Sequence, residues 1–99
     1  MTNFNYTDFD RDIWETELDA FVPDVIYDMH VHAWSEDHKG GLEGPPEWLR
    51  MPIGYNDHLR WAHSLYPGRQ MHYLALGTPL PGMAVDGHNT WLMDQFASD

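Results

Sequence analysis

The sequence predicts an α/β fold built around a pair of parallel strands. Three observations carry that expectation. Two apolar runs, residues 25–33 and 71–77, have strand length. Between them, over 56–66, apolar residues return at helical spacing. Two strands joined by a helix imply a right-handed βαβ unit with parallel strands.

The first element is a helix over residues 8–21. Thr7 or Asp8 can cap it, and Asp10 and Asp12 suit the positive end of its dipole. Ile13, Trp14, Glu17, Leu18 and Phe21 lie along one side, and Pro23 stops the helix. The first strand follows over 25–33. Its nearly continuous apolar character predicts burial on both faces, as in parallel sheets. Residues 35–55 read as a long loop punctuated by Gly40-Gly41, Gly44-Pro45-Pro46 and Pro52, with one helical turn at Glu47-Trp48-Leu49-Arg50. Loops of this length are uncommon and often functional.

The second helix spans 56–66, with Asn56 as its cap. Leu59, Ala62, Leu65 and Tyr66 form its apolar stripe, and Pro67-Gly68 ends it. The second strand spans 71–77 and contains His72-Tyr73-Leu74-Ala75-Leu76. After the loop Thr78-Pro79-Leu80-Pro81-Gly82, a third helix starts near Asn89 with Trp91, Leu92, Met93 and Phe96. A two-stranded sheet that is apolar on both faces cannot bury itself. Residues 1–99 therefore read as part of one larger domain.

Composition bounds the function. The 99 residues carry a net charge of −11, and up to His38 there are ten acidic residues and one basic one, Arg11. Such an acidic front argues against nucleic acid or an anionic membrane as partner. Hydrophobic content of 42% argues against disorder. The chain has no cysteine, so disulfides and thiolate metal sites are excluded and a metal must use His and carboxylates. No signal peptide or membrane span is legible, and a cytoplasmic soluble protein is expected.

The chemistry concentrates in Asp28-Met29-His30-Val31-His32. Strict alternation places Asp28, His30 and His32 on one face of the strand, and Met29 and Val31 on the other. Two imidazoles at i and i+2 can converge on one divalent metal, and that makes half of a catalytic site. The alternative is two packed, hydrogen-bonded histidines.

These residues carry a resemblance. Val25-Ile26-Tyr27-Asp28-Met29-His30-Val31-His32 resembles the first barrel strand of the amidohydrolase superfamily, with its D-x-H-x-H form. The leader Ile13-Trp14-Glu15-Thr16-Glu17-Leu18-Asp19-Ala20-Phe21-Val22-Pro23 is similar to that of the amidohydrolase-related branch, which includes aminocarboxymuconate-semialdehyde decarboxylase-like enzymes. Tyr66-Pro67-Gly68-Arg69 and His72-Tyr73-Leu74-Ala75-Leu76-Gly77 are similar to that branch's second unit.

The resemblance implies the first two βα units of a (β/α)8 TIM-type barrel behind a leader helix. It implies a metal-dependent hydrolase or a decarboxylase (a lyase), with a divalent metal, zinc the expected ion, held by His30 and His32. Further ligands, a His and an Asp from later strands, have no counterpart here, so the 99-residue chain is expected to be inactive alone. The substrate of the parent enzyme would be a small molecule.

Asp28 is expected to fix the histidine tautomers or to bond to backbone, in preference to binding the metal directly. Trp34 and His88 could line a substrate pocket, since barrel active sites occupy the C-terminal ends of the strands. The alternatives are core packing for Trp34 and a helix-terminal turn for His88. Structural roles are expected for His58, His63 and His72, and a solvated one for His38. The competing function is a noncatalytic acidic domain whose apolar faces bind a partner or form a homo-oligomer.

Overall fold

A computed structural model describes residues 5–35, 37, 51–78 and 82–99. The expected turn at Glu47-Trp48-Leu49-Arg50, Gly40, Gly41, Gly44 and His38 lie outside the described residues.

The chain is mixed α/β, with the elements in the expected order. Helix α1 spans Asp8–Ile13 and continues as a π-helical turn over Trp14–Leu18. Strand β1 spans Val25–His32, helix α2 Tyr55–Leu65, strand β2 Gln70–Leu76 and helix α3 Val85–Gln95. The two strands pair in parallel.

Helix α1 begins where Thr7 was expected to cap it. The Thr7 hydroxyl accepts the Asp10 N–H at 3.4 Å, and the Asp10 carboxylate accepts the Thr7 N–H at 2.8 Å. The widening into a π turn was not legible. There the Asp19 N–H reaches back to the Trp14 carbonyl at 2.8 Å, while the Thr16 hydroxyl donates to the Asp12 carbonyl at 2.6 Å. Trp14 is buried against Tyr66, with ring centroids 5.8 Å apart.

The Arg69 guanidinium lies 4.8 Å over the Trp14 ring. It donates to the carbonyls of Asp19, Val22, Pro23 and Pro67 and pairs with the Asp19 carboxylate at 3.0 Å. One side chain thus ties the leader segment to the start of β2.

Two helix starts differ from expectation. Helix α2 is entered through Gly54, whose N–H donates to the Asp57 carboxylate at 2.8 Å, so Asn56 lies inside the first turn. Helix α3 begins four residues before Asn89. Gly87, a poor helix former, hides this earlier start, while Asp86 in the first turn favours it through the dipole.

The strands are not buried on both faces. Tyr27 is 67% exposed, Met29 62% and Leu74 49%. One face of the sheet packs against α2, and the described residues leave the other open. At the N-terminal end of α2, Tyr55 makes edge-to-face contacts with Tyr73 and Phe96, which also meet each other edge-to-face. The Asp99 carboxylate accepts the Tyr73 N–H at 2.8 Å and the Tyr55 hydroxyl at 3.2 Å, fastening the residues after α3 to β2 and to the start of α2.

Candidate metal centre

The register of the sheet decides which side chains meet. Asp28 pairs with Tyr73 and Val31 with Ala75, so β1 spends three residues where β2 spends two. This is a β-bulge, which reverses the alternation beyond it. Tyr73 and Ala75 share a face of β2, and their partners Asp28 and Val31 therefore share the matching face of β1. His30 and His32 project from the opposite face.

Asp28 thus faces α2. It lines a cavity of about 160 Å³ with His58, Trp61, Ala62, Met71 and Tyr73, among others. Its carboxylate accepts the His30 backbone N–H at 3.1 Å and holds the bulge. Of the two expected roles, the structure places Asp28 on backbone and off the histidine rings. The shared face for Asp28, His30 and His32 is corrected by the bulge, which hydropathy alternation alone does not reveal.

His30 and His32 do converge. Their Nε2 atoms are 3.3 Å apart, with the rings edge-to-face at a 5.2 Å centroid separation. Nδ1 of His32 lies 3.1 Å from the Gly77 carbonyl oxygen. A carbonyl only accepts, so His32 carries its proton on Nδ1 and presents a lone pair at Nε2. Without a metal, the His30 Nε2–H can donate to that lone pair.

The separation also suits a metal. Two Zn–N bonds of about 2.0–2.1 Å at a tetrahedral angle set their nitrogens roughly 3.3–3.4 Å apart. A metal-bound histidine ordinarily donates its other N–H to a carbonyl or carboxylate, as His32 does to Gly77. The pair therefore fits two positions of a nitrogen–oxygen metal site. Among the described residues no third His, Asp or Glu joins it.

The pair sits at the C-terminal end of β1, where the surrounding chain is fastened tightly. Trp34 is 7% exposed and exchanges two backbone hydrogen bonds with Ile53, at 2.9 and 3.0 Å. That bridge brings residue 53 back to the strand end that residue 34 leaves. Trp34 is accordingly packed in the interior. The His58 Nε2–H donates to the His32 carbonyl at 2.8 Å, and the His58 ring meets those of Trp61 and Tyr73 at centroid distances of 5.5 and 5.7 Å. The Thr78 hydroxyl donates to the Ala33 carbonyl at 3.2 Å.

His72 stacks on Tyr27 at 5.1 Å, and His63 is exposed on α2. His88 lies in the first turn of α3, 2% exposed, and accepts the Thr78 N–H on Nε2 at 3.2 Å. It is packed against Gly77 and Thr78, directly after β2.

Gly77 and Thr78 were missed as site residues. The carbonyl of Gly77 and the N–H of Thr78 act as backbone atoms, which composition cannot mark. Their only sequence signal is position, directly after a strand whose neighbour carries the histidines.

Among the described residues no helix is long and apolar enough to cross a membrane. No family model, no curated protein and no solved structure matches the chain.

Proposed function

We propose that the chain is the N-terminal portion of a metal-dependent, amidohydrolase-like enzyme, with His30 and His32 as two of the metal's ligands. The observation that carries this reading is the 3.3 Å Nε2–Nε2 separation, with the His32 tautomer set by Gly77. The location supports it too, because α/β enzymes bind ligands beyond the carboxyl ends of parallel strands. In this reading the open face of the sheet, opposite α2, becomes the inside of a (β/α)8 barrel, and later strands supply the remaining ligands.

A divalent ion, zinc in this proposal, would supply Lewis-acid polarisation of a substrate oxygen. His30 and His32 offer it neutral nitrogens. The Gly77 carbonyl and the His58 bond to the main chain position the His32 ring. The reaction class is hydrolysis or nonoxidative decarboxylation of a small carboxylate or cyclic substrate.

Titration calorimetry with zinc tests the ligand assignment. Wild-type chain should bind with saturable one-site behaviour, and His30→Ala combined with His32→Ala should abolish that binding while the far-ultraviolet dichroism is kept. Equal zinc binding by both proteins would sink the assignment.

A second reading rests on the exposure of Tyr27, Met29 and Leu74. It makes the chain a noncatalytic domain that self-associates through the open face. Sedimentation equilibrium of wild type against Leu74→Lys separates the two. Association that Leu74→Lys abolishes, in a chain that ignores zinc, favours the second reading.

A further inference from the structure

The peptide group between Gly77 and Thr78 is held at both ends. Its carbonyl accepts the His32 Nδ1–H at 3.1 Å, and its N–H donates to Nε2 of His88 at 3.2 Å. His32 and His88 are 56 positions apart in sequence, yet one planar amide joins them. We propose that His88 is a positioning residue for His32: it orients the Gly77–Thr78 peptide so that the carbonyl fixes the tautomer and ring plane of His32. The consequence for metal affinity rests on the function proposed above, whereas the consequence for the tautomer does not.

Several features suit His88 to this task. Its ring is 2% exposed and lies nearly parallel to Trp91 one turn along α3, at 6.0 Å and 19°. Accepting an amide N–H at Nε2 requires the neutral ring protonated on Nδ1. A Cβ at Gly77 would lie 3.5 Å from His88 Nε2, so the imidazole already sits against the chain at that residue. Thr78 adds a second restraint on the same segment through its hydroxyl bond to Ala33. A peptide engaged at both ends is polarised, which strengthens each of its hydrogen bonds. Rotating it about its flanking dihedrals would break both bonds together.

The test uses the full chain and three imidazole readouts. In the wild type, a trans-hydrogen-bond N–N coupling should connect Thr78 N with His88 Nε2, and long-range nitrogen–proton spectra should show His32 protonated on Nδ1. His88→Phe keeps a ring but removes the acceptor. It should convert His32 to a mixture of tautomers and weaken zinc binding by roughly ten- to a hundredfold. His88→Gln returns an acceptor oxygen to the Thr78 N–H and should restore the tautomer and most of the affinity. A merely structural role would make Phe and Gln alike in these readouts.

The proposal is overturned if the N–N coupling is absent from the wild type, or if His88→Phe leaves the His32 tautomer unchanged. The coupling decides even if His88→Phe fails to fold. A wild type that shows both signatures yet binds no zinc overturns the metal reading and leaves the positioning role standing.

Discussion

Replacing Arg69 by Met is expected to remove a large fraction of the chain's stability. Met keeps most of the apolar stem and deletes the guanidinium, so the change isolates the polar contacts. Those contacts are unequal. The bond to the Val22 carbonyl is part-buried and charge-assisted, and its loss costs about 1.5 kcal/mol. The stacking over buried Trp14 at 4.8 Å contributes about 1 kcal/mol. The bonds to Asp19, Pro23 and Pro67 are exposed and replaceable by water, so together they add only about 0.5 kcal/mol.

The total is about 3 kcal/mol, against a stability on the order of 5–15 kcal/mol for a domain. Urea denaturation followed by tryptophan fluorescence should show a lower midpoint with an unchanged slope. The corresponding fall in melting temperature is roughly 12–24 °C. Arg60→Met is the control, because the Arg60–Asp57 pair is a surface pair within α2 and should cost below about 0.5 kcal/mol. Equal, small losses for Arg69→Met and Arg60→Met would refute the view that Arg69 fastens the leader segment.

Asp28→Asn should leave zinc affinity within about threefold, because the amide oxygen can still accept the His30 N–H and the carboxylate does not touch either ring; a loss at the upper end of the ten- to hundredfold range typical of a ligand's partner would put Asp28 back beside the histidines. Tyr73 is held well above the ordinary tyrosine range, at about 12, chiefly because burial disfavours the phenolate, with the Asp28 charge adding to it. The folded chain therefore keeps a proton that the unfolded chain gives up near pH 10. The Tyr73 contribution to stability is complete below pH 10 and is lost as pH rises from about 10 towards 12. Denaturant midpoints across that window should fall in the wild type and fall less in Tyr73→Phe; equal slopes would contradict the burial of this hydroxyl.

Much of the scaffold was legible in the sequence because its signals are local. Thr7 is a capping residue by its chemistry, Pro23 and Pro67-Gly68 break helices wherever they occur, and the two apolar runs are strands by length and composition. The pairing of His30 with His32 was also legible, since residues two apart on a regular strand segment share a face. The early start of α3 was not legible because Gly87 and Asp86 read locally as a turn, whereas in the structure His88, in that first helical turn, accepts the Thr78 N–H.

By itself the sequence determined the order of the elements and the convergence of two imidazoles, because both follow from side-chain periodicity along a few consecutive residues. Tertiary structure alone decided that Asp28 and the histidines part company. The bulge exists only as a mismatch between β1 and β2, so neither strand's own sequence contains it. Tertiary structure likewise decided that a backbone carbonyl from Gly77 sets the His32 tautomer, and that His88 stands behind that carbonyl. Every residue carries the same amide, and which one meets an imidazole is a matter of three-dimensional proximity.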